Sequence, residues 1–415
     1  MSIKPVINNQ QLKEFSRIAL SAYPGIEPSL ESLNERLQNA NAEDKDSIYY
    51  LCERGGKSLG GYRHIDYVLN YNNNYIKASG IGMVAVDLLE KKQGAAKEMV
   101  EYYLEQSFRN GQHIAMLYSF RPDFYYKMGF GYGPKNYYFE FRPESFNKVS
   151  DRSRLTFLNG SDLPLLADCY LRYANEQHGY CKRNCFELTS FRKKYEKEGT
   201  VVGFKSNGYI DGYIYFTLSR VSKDNFIRQK MIIKEWIYNT PEAFKALSGF
   251  LEMQKDQVEF IEYQTQKEDF LFALKDVRMI DLKLYPGVSH KVAHQGMGMM
   301  YRIVDVEAFL TEISKFQKFN CPDIIIAIAI EDSFREKNQG VYNIRVKNKE
   351  LTLTKDENNA IPVKMNIADF SSIMMGSAKI RNLFDLGKIE CNKKDLEILE
   401  CFFNFSKKPE CITLF

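Results

Sequence analysis

The run Val84-Ala85-Val86-Asp87-Leu88-Leu89-Glu90-Lys91-Lys92-Gln93-Gly94-Ala95-Ala96 combines the residue types needed to hold an anion. Val84, Ala85 and Val86 read as the end of a buried strand, and Lys91, Lys92 and Gln93 form a basic turn. Gly94, Ala95 and Ala96 then open a helix, because Met99, Val100, Tyr103, Leu104 and Phe108 follow three or four apart. The first turn of a helix leaves four backbone N–H groups without internal partners, and Ser, Thr or Asp usually covers one of them. Small residues stand there instead, so bare amides and two ammonium charges remain available to a phosphate group.

Other motifs compete less well. Gly56-Lys57-Ser58-Leu59-Gly60 fits the G-x-S-x-G pattern of serine hydrolases, but a nucleophile elbow requires a helix after the serine. The residues that follow, Gly61 to Val68, have strand character, so a hairpin is expected. Cys181 and Cys185 lack a second pair at zinc-ligand spacing. His290 and His294 would share a helix face, yet Pro286-Gly287, Gly296 and Gly298 oppose a helix there. No metal is expected, and eight cysteines spread over so long a chain fit free, reduced thiols.

The elements around the basic turn set its neighbours. Two helices are expected between Gln10 and Asn39, broken at Pro24-Gly25, and strands at Ile48–Cys52 and Ser58–Leu69. After the helix ended by Gly111, His113–Phe120 is expected as a strand lying parallel to Val84–Val86. Pro122 and Gly129 bracket a helical turn over Asp123–Met128, and Phe130–Phe141 closes the unit as a strand or hairpin. The middle third repeats a strand, a helix and a strand (Met231–Ile237, Pro241–Gln254, Val258–Gln264). There Thr240 can cap the helix and Pro241 removes a donor, so no phosphate cradle is expected. The last third mixes a helix over Asp305–Phe319, strands at Ile324–Ile330, Val341–Lys347 and Glu350–Lys355, and helices at Ile367–Met375 and Lys394–Phe403.

A chain of 415 residues suggests several domains, and three are expected: 1–147, 148–288 and 289–415. Lys plus Arg number 57 against 53 Asp plus Glu, interleaved throughout, which argues against a nucleic-acid binder. The longest conspicuous apolar run, Ile324–Ile330, is too short to span a bilayer, so no membrane association is expected. The N-terminal residues lack the features of a signal peptide, and a cytoplasmic location is expected.

Val84-x-Val86, the Lys91-x-x-Gly94-x-Ala96 turn and Phe124-Tyr125-Tyr126-Lys127-Met128-Gly129-Phe130 together resemble the acetyl-CoA-binding core of the GNAT acyltransferases. Lys91 departs from the usual Gln or Arg; it keeps a charge but loses the guanidinium fork. The three-part order resembles the Eis (enhanced intracellular survival) acetyltransferases, with Gln177-His178-Gly179, Arg183 and Gly298–Asp305 as further matching pieces. The resemblance implies an α/β and α+β fold: two tandem GNAT-like units, the second degenerate, then a sterol-carrier-protein-like α+β domain. It implies an acetyl-CoA-dependent N-acetyltransferase acting on small-molecule primary amines of aminoglycoside, polyamine or lysine type, assembled as a hexamer. In this family pattern Tyr125 takes the place of the general acid, and the carboxylate of Phe415 that of a base or orienting group. The apolar ending Cys411-Ile412-Thr413-Leu414-Phe415 fits a buried tail. The alternative reading is a non-catalytic protein that binds acetyl-CoA or an apolar ligand.

Overall fold

The computed structural model describes residues 2–149, 151–405, 407–413 and 415. The first part of the chain runs β1 (Ser2–Pro5), α1 (Asn9–Ala22), α2 (Leu30–Glu43), β2 (Ser47–Arg54), β3 (Lys57–Tyr71), β4 (Asn74–Val86), α3 (Ala95–Arg109), β5 (Ile114–Tyr118), α4 (Pro122–Tyr126) and β6 (Gly131–Tyr132). Local capping explains the two opening helices. Asn8 accepts from the Gln11 amide at 2.9 Å and Ser29 from the Ser32 amide at 3.1 Å. α1 buries Leu12, Phe15, Ile18 and Ala19, the stripe that its spacing predicts. Gly55 and Gly56, with φ of +58° and +79°, turn β2 into β3, so Ser58 lies in a strand and not at a nucleophile elbow.

β4 carries the feature on which the site depends. It pairs in parallel with β5 only over Ala78, Ser79 and Gly80, opposite Ile114, Ala115 and Met116. The expected neighbour of Val84–Val86 is therefore absent at that level; β5 runs beside an earlier part of the strand. On its other side, Gly61 faces Ala85 but Arg63 faces Gly82, which leaves Met83 and Val84 together opposite Tyr62. This is a β-bulge, and Met83 takes a left-handed φ of +49° within it. A bulge bends a strand and increases its twist, and here it accompanies the parting of β4 from β5.

The strand Met299–Ile303 enters the same sheet between β5 and β6, pairing antiparallel with both. Residues 130–141 do not close the unit as one hairpin. Only Gly131–Tyr132 stays in this sheet, and after Gly133-Pro134, which interrupts the ladder, Lys135–Phe141 belongs to a second sheet. The chain's last part forms a five-stranded sheet in the order Glu350–Leu353, Gly340–Lys347, Ile324–Glu331, Ile361–Asn366, Glu390–Cys391. Its core runs without a break into that of the first sheet, through Met116, Met299, Tyr301, Phe309, Ile328, Ile344 and Phe370.

The second unit, Lys135–Gln177 with Glu187–Met297, is described by itself. Its seven-stranded sheet contains the parallel pair Gln229–Tyr238 and Val258–Thr265, joined by the helix Pro241–Glu252. Thr240 Oγ1 accepts from the Ala243 amide at 3.1 Å and Pro241 opens the helix, so its start is closed as the residue types predict. His290 and His294 lie on separate short strands. Among the described residues no helix is long and apolar enough to cross a membrane.

Candidate active site

At the end of β4, Asp87 turns the chain. Its carboxylate accepts from the Leu89 amide at 3.0 Å and meets Arg17 at 2.9 Å, and these two contacts hold it below the usual carboxylate range. Glu90 is occupied by Lys57 and by Gln93, whose amide donates to it at 2.9 Å. Lys91 and Lys92 remain exposed beside the start of α3. Gly94 caps α3 with φ +85° and no side-chain hydrogen bond. A Cβ there would meet only Glu98 Oε1 at 3.7 Å, so the backbone conformation and not lack of room calls for glycine. Ala95 is buried and Ala96 half-buried, so neither covers the backbone amides of this first turn, and the acidic Glu98 there is paired with Arg54 at 3.2 Å. Such a start fits a pyrophosphate, so the residues present suit coenzyme A.

Where β4 leaves β5, a cavity of about 340 Å³ opens. It is lined by Tyr23, Ile81, Gly82, Met83, Val84, Leu117, Tyr118, Phe120, Tyr125 and Phe415. Tyr23 donates to the Val84 carbonyl at 2.5 Å, which holds the bulged edge in place. Tyr125 sits on α4, buried, and burial pushes its hydroxyl well above the ordinary phenol value, with Tyr23 adding to the effect. The phenol therefore keeps its proton.

Phe415 reaches this cavity from the far end of the sequence. Its ring packs between Tyr67 and Tyr118, at centroid distances of 5.5 and 5.4 Å. Gly80 makes the room, because a Cβ there would collide with the Phe415 ring, while one on Gly82 would lie in ordinary contact, 3.5 Å from the Phe415 carbonyl carbon. The tail is tethered upstream, where the Glu410 amide donates to the His178 carbonyl at 2.8 Å and Tyr118 Oη donates to the Cys411 carbonyl at 3.4 Å.

Of the residues singled out in the sequence, Val84, Tyr125 and Phe415 share the cavity. Ala85 is buried against the α1–α2 cluster, Val86 pairs with Gly60, and Lys91, Lys92, Gln93, Gly94, Ala95 and Ala96 stand at the neighbouring helix start. Tyr23, Met83, Tyr118 and Phe120 were not anticipated. Their only local mark is aromatic or apolar character, and long-range folding gathers them.

Residues 7–133 and 179–303 each match families described as acetyltransferase (GNAT) domains, and residues 306–412 match a sterol carrier protein domain. The fold and its domains thus define a GNAT-type acyltransferase, for which acetyl-CoA is the implied co-substrate. Among solved structures, a GCN5-related N-acetyltransferase from Anabaena variabilis is 18% identical with a TM-score of 0.80, both chains being covered in full. A probable N-acyltransferase from Enterococcus faecalis is 19% identical, also at 0.80, with 100% of this chain and 99% of the other covered. Eis1 from Mycobacterium abscessus is 16% identical, at 0.78, again over the whole of both chains. A comparison with curated proteins found no significant match. The chain thus carries two GNAT acetyltransferase domains followed by a sterol carrier protein domain, and in domain order and fold it is Eis-like.

Proposed function

We propose that the protein transfers an acetyl group from acetyl-CoA to a primary amine by direct attack, with aminoglycoside, polyamine or lysine-type amines as the acceptor classes. The observation that carries this reading is the parting of β4 and β5 beyond Gly80, with Tyr125 and Phe415 both lining the cavity it opens. When bound, acetyl-CoA supplies the activated acetyl thioester. Lys91, Lys92 and the amides from Gly94 to Ala96 grip its phosphates. Backbone groups of Ile81 to Val84, released from pairing with β5, are available to the pantetheine arm and to charge developing on the carbonyl oxygen. The Tyr125 hydroxyl, which burial keeps protonated, gives its proton to the departing thiolate. The carboxylate of Phe415 orients the amine and takes its proton, directly or through water.

The reading is tested by following thiol release from acetyl-CoA with a panel of amines. Amine-dependent release with matching N-acetyl product is expected, and its absence with every amine would overturn the assignment. Appending a few residues after Phe415 is expected to abolish transfer while the circular dichroism spectrum stays unchanged. An unaffected rate would remove the carboxylate from the mechanism.

A further inference from the structure

Arg302 heads the fully buried side chains by volume. Its guanidinium forks. Nη2 donates to Asp332 Oδ2 at 2.5 Å, and Nη1 donates to the backbone carbonyl of Met128 at 2.5 Å. Both members of the ion pair are sealed from water, at 0% and 1% side-chain exposure. Asp332 is itself fixed: Oδ1 accepts from the Phe334 and Arg335 amides at 3.2 and 3.0 Å, and Oδ2 accepts from Asn338 at 3.1 Å. Desolvating two charges is expensive, and a well-packed apolar pair would serve stability as well or better. What an apolar pair could not do is bind the carbonyl of Met128.

That carbonyl closes the turn bearing Tyr125. The Met128 and Phe130 amides donate to the Tyr125 carbonyl at 3.0 and 3.1 Å, and the Gly129 amide to that of Tyr126 at 2.9 Å. Gly129 has φ +83°, and a Cβ on it would overlap Arg302 Nη1, so the arginine's position requires glycine there. The same turn is held a second time by Tyr126, whose hydroxyl donates to Asp369 at 2.9 Å. We infer that Arg302, anchored by Asp332, is a positioning residue for acetyl transfer: through Met128 it sets the turn that aims the Tyr125 hydroxyl into the cavity. The inference rests on Tyr125 acting as the acid.

Two variants remove the fork in different ways. Arg302→Lys keeps a charge for Asp332 but has no second arm for Met128, and Arg302→Met with Asp332→Asn removes both charges together. Each is made with Tyr125 intact and with Tyr125→Phe, and single-turnover transfer is measured beside acetyl-CoA binding. With Tyr125 present, the acetylation rate is expected to fall about tenfold or more, as misplacing a reacting group does. Acetyl-CoA affinity should hold within about threefold, and the same changes in the Tyr125→Phe background should cost less than about twofold. A wild-type rate, or an equal loss in both backgrounds, overturns the positioning role while leaving the acid in place. A wild-type rate for Tyr125→Phe alone would remove the acid, and Arg302 would have nothing to aim. If the doubly neutral variant does not fold, Arg302→Lys decides the matter.

Discussion

Tyr125 lines the cavity and is the proposed acid. Burial raises its pKa, so it remains a proton donor well above neutral pH. Tyr125→Phe is therefore expected to lower kcat about 10²-fold or more while acetyl-CoA binding, measured by calorimetry, is unchanged. The pH profile carries a sign. Because the raised pKa keeps the proton on the phenol, ionisation of Tyr125 should add no decline in kcat between pH 7 and 9, and a decline in that range that disappears in Tyr125→Phe would show the phenol titrating there. The residue was legible in the sequence only because Tyr-x-x-x-Gly-Phe surrounds it; Gly129 is where the helix must stop, and that signal is local. Arg302 lay in the matching piece Gly298–Asp305, but nothing local marked its role. Within Met299–Ile303 it reads as one polar residue in an apolar strand, and its partners Met128 and Asp332 lie far away in sequence.

Among elements, the starts of two helices make a controlled comparison. α3 opens on Gly94 with no side-chain cap, whereas the helix Pro241–Glu252 opens on a capping Thr240. Replacing Gly94 by Ala forces a residue with a Cβ into φ +85°, at a cost of about 1–2 kcal/mol. We expect the KM for acetyl-CoA to rise several-fold with kcat nearly constant. Thr240→Ala removes the bond to the Ala243 amide and should cost about 1 kcal/mol, read as a lower denaturant midpoint, with no change in acetyl-CoA binding. Both starts were legible because capping depends on residues within one turn of each other. The cleft was not. That β5 meets β4 at Ala78–Gly80 and not at Val84–Val86 goes together with a bulge at Met83 and with Tyr23, just past α1, reaching the Val84 carbonyl. Neither leaves a short-range pattern. Met299–Ile303 is buried at every position, which marks a central strand but does not say of which sheet.

On the scale of the molecule, His178 links the first sheet to the chain's last part. Its Nδ1 accepts from the Asn72 amide at 3.2 Å and its Nε2–H donates to the Met375 carbonyl at 3.1 Å. Burial, helped slightly by Lys407 and opposed by hydrogen bonds to the backbone of Met375 and Asn70, brings its pKa from the ordinary 6.5 down to about 4. Below pH 6.5 the unfolded chain binds this proton more readily than the folded one, so stability falls as pH drops from 6.5 toward 4, by about 3 kcal/mol at most. His178→Gln, which can still accept and donate but does not titrate, should flatten that acid limb in a series of thermal melts. A limb of unchanged slope would assign the effect to other groups. Domain class was legible for the molecule as a whole through the resemblance carried by the Lys91–Ala96 turn, the Phe124–Phe130 motif and the order of the three parts. The placement of Met299–Ile303 between β5 and β6 has a further consequence, for biosynthesis. Until residue 303 has left the ribosome, the edge of β5 that faces this strand has no partner. The nascent first sheet must wait with an open side through the synthesis of the intervening stretch. Chaperone dependence and truncation-induced aggregation should therefore concentrate in that interval, and a fragment ending near Pro134 should precipitate where the full chain does not.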